Sequence, residues 1–544
     1  MSQRLILSAT ATLIGFVLWK IGKHVVHQLT SPLRNLNGPR STSWLFGNIR
    51  DLFKSEEMVL LEEWSQEHGQ TLKFYGLLNR LSLLTMDLRA LNHILTHSMD
   101  YQKPKAIRYS VSQILGKGVV YVEGPQHRHQ RKIMNPAFGP GQVRDLTEII
   151  LAKSIQLRDI LMSESKDQEG NPKRTDILSW MSRVSLDIIG LAGFNHEFNS
   201  LDTSKKENEI IEAIGTIISA GIAGNVVSML QLWMSPLWTI PTDFGRKITV
   251  AQQAMGRFGD ELLRDAKAAV MASQCDEKTG IVEKRSVQGR DLLSLLVRAN
   301  MATDIPDNQK LSDEDVLAQV PTFLITGHET TSSTVTLALF ALTQHPEVQA
   351  KLRQELLTVE SETPSMDELL ALPYLDGVVR EALRVHPHMP STIRVAMKDD
   401  VIPLDTPFTD KNGQVQTEIR VSKGDHIAVP ILAINRSEAL WGPDAKEFKP
   451  ERWESPPESL SNIPGVWGHL LTFLGGPRAC IGYRFALIEM KALLFTLVRA
   501  FEFTLAVPAG DIVMRAEIIQ LPFLRSEPGS HSQMPLFIKP YHRI

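Results

Sequence analysis

A mainly helical fold with a minor β part is what this 544-residue sequence predicts, and three observations carry it. Long apolar runs at helical spacing open on capping residues and stop at proline. Ser312-Asp313-Glu314-Asp315 opens one that continues to about Thr343, with Ser312 and Asp315 in a capping-box pattern, and His345-Pro346 ends it. From Arg394 to Val429 the pattern changes to short runs punctuated by Asn412-Gly413 and Lys423-Gly424, which predicts hairpin strands. After Gly47 no repeat of roughly 20–50 residues and no long linker intervenes, so residues 49–544 read as a single domain.

Composition narrows the function classes. Hydrophobic residues make up 43% and charged residues 22%, ordinary globular values that exclude disordered and low-complexity chains. The net charge of −3 supplies no field for nucleic acid, so no nucleic-acid partner is expected. Two cysteines, Cys275 and Cys480, are too few for a disulfide scaffold or a cysteine-based zinc or iron–sulfur site.

The elements follow in chain order. Leu5 to Trp19 is uncharged between Arg4 and Lys20. As a helix this run covers about 22 Å, and its neighbours with a snorkelling Lys20 extend it toward spanning length. No cleavage pattern follows it, so residues 1–24 read as a retained membrane anchor. Lys20, Lys23, Arg34 and Arg40 outnumber Arg4, which puts the large C-terminal part in the cytosol. Residues 25–48, with Ser31-Pro32 and Gly38-Pro39, read as a stiff connector. Ala213 to Thr242 lacks charge but is interrupted by Gly221, Gly224 and Pro236. It reads as a buried helix pair, with an apolar lid at the membrane interface second and a spanning helix third. Pro346 starts a helix to about Glu360, and Met366–Leu372 and Leu375–Val385 repeat the periodicity.

Phe473-Leu-Gly-Gly-Pro-Arg-Ala-Cys480-Ile-Gly482 is a glycine-permitted loop that delivers a thiol to the start of a helix. Gly476 and Gly482 would let backbone approach a flat ligand, and the helix start would lower the thiol pKa. Arg478 could pair with a carboxylate of that ligand. Cys275 lies in a polar stretch, Ser273 to Glu277, with nothing reactive beside it.

This segment resembles the F-x-x-G-x-R-x-C-x-G haem-binding signature of the cytochrome P-450 haem-thiolate monooxygenases, and further landmarks of that family follow in order along nearly the whole chain. Thr326-Gly-His-Glu-Thr330-Thr331 resembles A-G-x-[D/E]-T, with Thr326 where alanine is usual. A glycine with hydroxyls in a helix interior is locally unfavourable and predicts a functional kink. Glu381-Ala-Leu-Arg384 resembles E-x-x-R, and Pro450-Glu-Arg452-Trp453 resembles P-E-R-F with Trp453 for phenylalanine. Glu261 and Arg264 share the E-x-x-R spacing but read as a solvated pair. His127-Arg-His-Gln-Arg131 aligns with W-x-x-x-R, with His127 where tryptophan is common, and Arg394 resembles the second propionate arginine.

The resemblance implies a cytochrome P-450 fold, with haem b between the long dioxygen-binding helix and the cysteine-loop helix. It implies Cys480 as the axial iron ligand, with Phe473, Gly476, Arg478 and Gly482 in the cofactor loop. Arg131, His127 and Arg394 would serve the propionates. Thr330 would hold the activated dioxygen and its water while Glu329 feeds protons, and Glu381, Arg384 and Arg452 would form a buried charge network under the cysteine loop. The implied reaction inserts one oxygen atom from O2 into an apolar substrate. The 62 residues after Gly482 are too few for flavin and nicotinamide domains, so a separate NADPH–cytochrome reductase is the expected partner at the endoplasmic reticulum membrane. Alternatives are an O2-independent haem-thiolate isomerase or dehydratase, whose members tend to lack the acid–threonine pair, and a non-catalytic haem sensor or carrier. The stretch His127 to Phe138 resembles fungal microsomal members, which points to terpenoids or other secondary metabolites.

Overall fold

The computed structural model describes residues 2–165, 172–204, 209–222, 243–274, 291–302, 306, 310–516 and 519–542. Cys275 and residues 223–242 of the long uncharged stretch lie outside them. Six helices position the site: α1 Ser2–Thr30, α2 Gly124–Met134, α3 Ile177–Phe194, α4 Gln319–Gln344, α5 Pro373–Val385 and α6 Tyr483–Ala500. Five strands form the main sheet: β1 Thr71–Tyr75, β2 Leu81–Thr85, β3 Tyr101–Gln102, β4 Thr392–Ala396 and β5 His426–Val429. Their order is β1-β2-β5-β4-β3, antiparallel except for the parallel pair β2–β5. The mainly helical expectation with small sheets is met.

α1 runs through residue 24 without a break and leaves Leu18, Trp19, Val25 and Val26 exposed. Its end is docked on the body. His24 Nε2 donates to Leu78 O at 2.9 Å, and Gln28 Oε1 accepts from Leu81 N at 3.0 Å. Asp425, wholly buried at the start of β5, faces His27 Nε2 at 2.9 Å and accepts from Ser31 Oγ at 2.9 Å.

The predicted hairpin is present as Asp400–Thr409 paired with Val415–Val421, and Gly413 takes the left-handed φ of +78° that its turn needs. Ser312 caps as predicted, its hydroxyl accepting from Asp315 N at 3.0 Å. The run it opens is nevertheless two helices, Asp313–Leu317 and α4, parted at Ala318. There the Gln319 side-chain amide donates to the Asp315 carbonyl at 2.9 Å. At α5, Pro373 sits in the first turn and the Glu355 carboxylate accepts from Tyr374 N and Leu375 N, both at 2.7 Å.

Among the described residues α3 is the helix apolar and long enough to cross a bilayer, but 78% of it is buried inside the protein, so it is a core helix. It packs directly on α4. A Cβ on Gly327 would lie 2.8 Å from Ile189 Cγ1, which gives this glycine a packing reason. α4 is continuous through Gly327, where the sequence predicted a kink.

Candidate functional site

The loop before α6 is held from within and from outside. Cys480 N donates to Phe473 O at 2.8 Å, closing the loop on itself. Arg131, from α2, donates through Nη1 to Ala479 O at 2.7 Å and through Nε to Asn135 Oδ1 at 2.8 Å. Gly476 has φ +67°, and a Cβ there would meet Leu95 O at 2.3 Å. Its freedom therefore serves the fit of loop against protein. Gly482 would meet only the Phe138 ring, at 3.7 Å, and that ring packs on Phe323 of α4 with centroids 5.4 Å apart.

The thiol runs against expectation. Burial pushes the Cys480 pKa up, and the opposing pull of the Gly482 N–H and the Arg131 charge is smaller. Helix-start stabilisation of a free thiolate is thus outweighed by desolvation. Cys480 nonetheless presents an open surface.

Beneath the loop lies a buried network. Glu381 and Arg384, both wholly buried on α5, pair bidentately at 2.7 and 2.9 Å. Arg452 Nε reaches Glu381 Oε1 at 3.4 Å, its Nη1 reaches Asp444 Oδ1 at 2.7 Å, and Trp453 Nε1 donates to Glu381 Oε2 at 3.0 Å. Trp453 therefore adds a donor that phenylalanine would lack. The route to the cysteine loop is one that sequence reasoning missed. Arg384 Nη1 holds Asn435 O at 2.9 Å. The Asn435 amide in turn accepts from Leu471 N at 3.1 Å and donates to Thr472 Oγ1 at 2.8 Å, one residue before Phe473.

A second cluster is cationic. Arg394 on β4 is 3% exposed, and burial lowers its pKa to about 10. Arg478, lowered to about 10 by burial and the Arg108 charge, donates to Val122 O at 2.7 Å and pairs with Glu123. Glu123 is thus a carboxylate partner for Arg478 from the protein itself. Lys103, also missed, has its Nζ 3.5 Å from Glu123 Oε1; burial and the charges of Arg478, Arg394 and Arg108 hold its pKa well below the usual range. His127 is buried and lowered to about 4, by burial and then by Lys103 and Arg131, so it is neutral near pH 7. Nothing in the local pattern around Lys103 or Glu123 signals this meeting, which β3 and α2 create by folding.

On α4, Thr326, Gly327, Glu329 and Thr330 are partly open within an otherwise buried helix. Thr330 Oγ1 donates to Thr326 O at 2.8 Å and Thr326 Oγ1 to Thr322 O at 2.6 Å, so the hydroxyls bond back along the helix. Burial raises the Glu329 pKa, opposed by His328, whose Nε2 lies 3.6 Å from Glu329 Oε2. Further along α6, Glu489 is wholly buried, accepts from Ser185 Oγ of α3 at 2.6 Å, and has its pKa raised to about 8 by burial.

Four cations, Lys103, Arg108, Arg394 and Arg478, gathered with the carboxylate of Glu123 suit a ligand that brings carboxylates of its own, and an exposed thiol suits a metal at that ligand's centre. Haem meets both demands, so these residues fit it, and the class defined is a haem-thiolate protein. The chain belongs to the cytochrome P-450 family, whose family model, Cytochrome P-450, matches residues 37–521. It is 53% identical to cytochrome P-450 monooxygenase 205 of Postia placenta over 99% of this chain and 98% of that protein. It is 48% identical to monooxygenase 128 of the same fungus over 99% and 98%, and 34% identical to monooxygenase claP of Ampulloclitocybe clavipes over 95% of each. The protein is therefore a cytochrome P-450 monooxygenase. Enzymes of this family use haem iron, dioxygen, electrons from a redox partner and hydrophobic substrates.

Proposed function

We propose that the protein hydroxylates or epoxidises a terpenoid or another apolar secondary-metabolite intermediate, using haem b and electrons passed from NADPH by a membrane-bound reductase. α1 anchors it in the endoplasmic reticulum membrane with the catalytic part in the cytosol. Haem iron with a thiolate ligand supplies the chemistry of O–O cleavage. The residues do the rest. Cys480 is the iron ligand, and coordination reverses the raised pKa of its thiol. Arg131, Arg394 and Arg478 neutralise the haem carboxylates, and neutral His127 donates a hydrogen bond to one of them. Phe473, Gly476 and Gly482 shape the loop. Glu381, Arg384 and Arg452 hold it from below through Asn435. Glu329, with a pKa raised toward neutrality, carries a proton to the neighbourhood of Thr330 Oγ1.

The observation that carries monooxygenation over isomerisation or simple haem carriage is the Glu329–Thr330 pair on the open turn of α4. The test is a product screen: the chain co-expressed with a reductase, offered terpenoids, sterols, fatty acids and aromatic natural products, with masses read for a gain of one oxygen. Product formed by the purified enzyme without reductase and without oxygen overturns the reading.

A further inference from the structure

We propose that His328 is the positioning residue for Glu329, and that the two side chains form a dyad which holds one proton at the open turn of α4. This rests on Glu329 being the proton carrier of the proposed reaction.

The ring nitrogens fix the arrangement. His328 is 2% exposed, and its Nδ1 lies 2.7 Å from Leu324 O, one turn earlier on α4. A backbone carbonyl can only accept, so Nδ1 carries the hydrogen and donates it. In the neutral ring Nε2 is then a bare acceptor, and it lies 3.6 Å from Glu329 Oε2. Burial raises the Glu329 pKa, which favours the carboxyl that still holds its proton. The acid thus has one O–H to give, and the atom facing it is a lone pair. Contacts of this kind are long before the reacting complex forms and tighten within it.

Other partners are occupied. Thr326 Oγ1, Thr330 Oγ1 and Thr331 Oγ1 each donate to a carbonyl four residues back, and Ser332 Oγ donates to the Glu329 backbone carbonyl at 3.1 Å. On α3, which packs on α4, Arg183 donates to Ser200 O at 2.8 Å, and Asp187 accepts from Ser200 N at 2.7 Å and Leu201 N at 3.3 Å. Among the described residues His328 is therefore the titratable side chain that meets the Glu329 carboxyl. Sequence adjacency alone does not produce this meeting, since successive side chains on a helix diverge by about 100°. The bond to Leu324 O holds the ring where Glu329 reaches it. Once the acid delivers its proton, a carboxylate is left against a lone pair, and the next proton to enter satisfies both. The dyad thus reloads the carrier between turnovers.

The full-length ferric protein is read first at rest. Infrared difference spectra of wild type minus Glu329→Gln isolate the C=O stretch of the protonated Glu329 carboxyl, and His328→Phe should move that band to higher frequency as the acid loses its acceptor. Turnover then uses reductase and NADPH with no substrate. Dioxygen leaves either as hydrogen peroxide, which takes one electron pair, or as water, which takes two and depends on proton delivery beside Thr330. His328→Phe should raise the peroxide-to-water ratio by about tenfold and leave it unchanged when added to Glu329→Gln. His328→Gln, whose amide reaches the same carboxyl, should restore most of the loss. His328→Leu replaces the phenylalanine variant if that chain does not take up haem. An unmoved band, or a ratio that changes equally in both backgrounds, overturns the dyad and leaves Glu329 as carrier. A wild-type ratio in Glu329→Gln overturns the carrier and this inference with it.

Discussion

Replacing Glu489 with glutamine should stabilise the protein, and by an amount that depends on pH. Glu489 is wholly buried, with one partner, Ser185 Oγ at 2.6 Å, and its Oε2 has none. Its pKa rises from an ordinary 4.5 to about 8. The sign follows from proton counting: a folded state with the raised pKa is at its relative best below pH 4.5. It loses stability as the unfolded chain ionises, and the loss levels off once pH passes the folded value. At pH 7 the folded protein holds a proton that the unfolded chain has released over two and a half pH units. At about 1.4 kcal/mol per unit the penalty is about 3 kcal/mol. Glutamine presents the same shape as the protonated acid and cannot ionise. Urea midpoints of wild type and Glu489→Gln, followed by tryptophan fluorescence at equal haem loading from pH 5 to 9, should diverge by about 1.4 kcal/mol per unit up to pH 8 and then run parallel. A gap that stays constant with pH, or a wild type that gains on the variant as pH rises, refutes the buried neutral acid.

Other outcomes follow from the site. Cys480→Ala should abolish the red-shifted Soret band of the reduced carbon monoxide complex, while Cys275→Ala leaves it unchanged. Glu381→Ala strands the buried charge of Arg384 and should destabilise the fold by about 3–5 kcal/mol, read as loss of haem content on purification. Its companion Trp453→Phe removes one donor to the same carboxylate and should cost about 1–2 kcal/mol, measured as a lowered melting temperature with haem retained. Glu329→Gln should cut product formation by about 100-fold or more while substrate still binds, with consumed electrons appearing as hydrogen peroxide.

Much of this site was legible because its parts are local. The cysteine loop, the i,i+3 charges of Glu381 and Arg384, and the Ser312 cap each declare themselves within a few residues. What escaped reading depends on distant segments. Asn435 meets Thr472 across 37 positions, and Lys103 meets Glu123 across 20. Neither pair has a pattern that periodicity or spacing could flag. Gly327 was the misleading glycine: it was read as marking a kink, but α4 is continuous there and the side chain that excludes a Cβ is Ile189. The raised pKa of the thiol comes from desolvation, which spacing along the chain does not report.

The crowd of cations near Glu123 bears on how the polypeptide matures. Lys103, Arg108, Arg394 and Arg478 come from three separate stretches of chain and repel one another when brought together. Ribosomal synthesis delivers β4 and the cysteine loop last, so the gathering can close only after almost the whole chain has emerged. A ligand that brings counter-charge should therefore favour the closed cluster, and cofactor supply during expression should raise the yield of compact, protease-resistant chain.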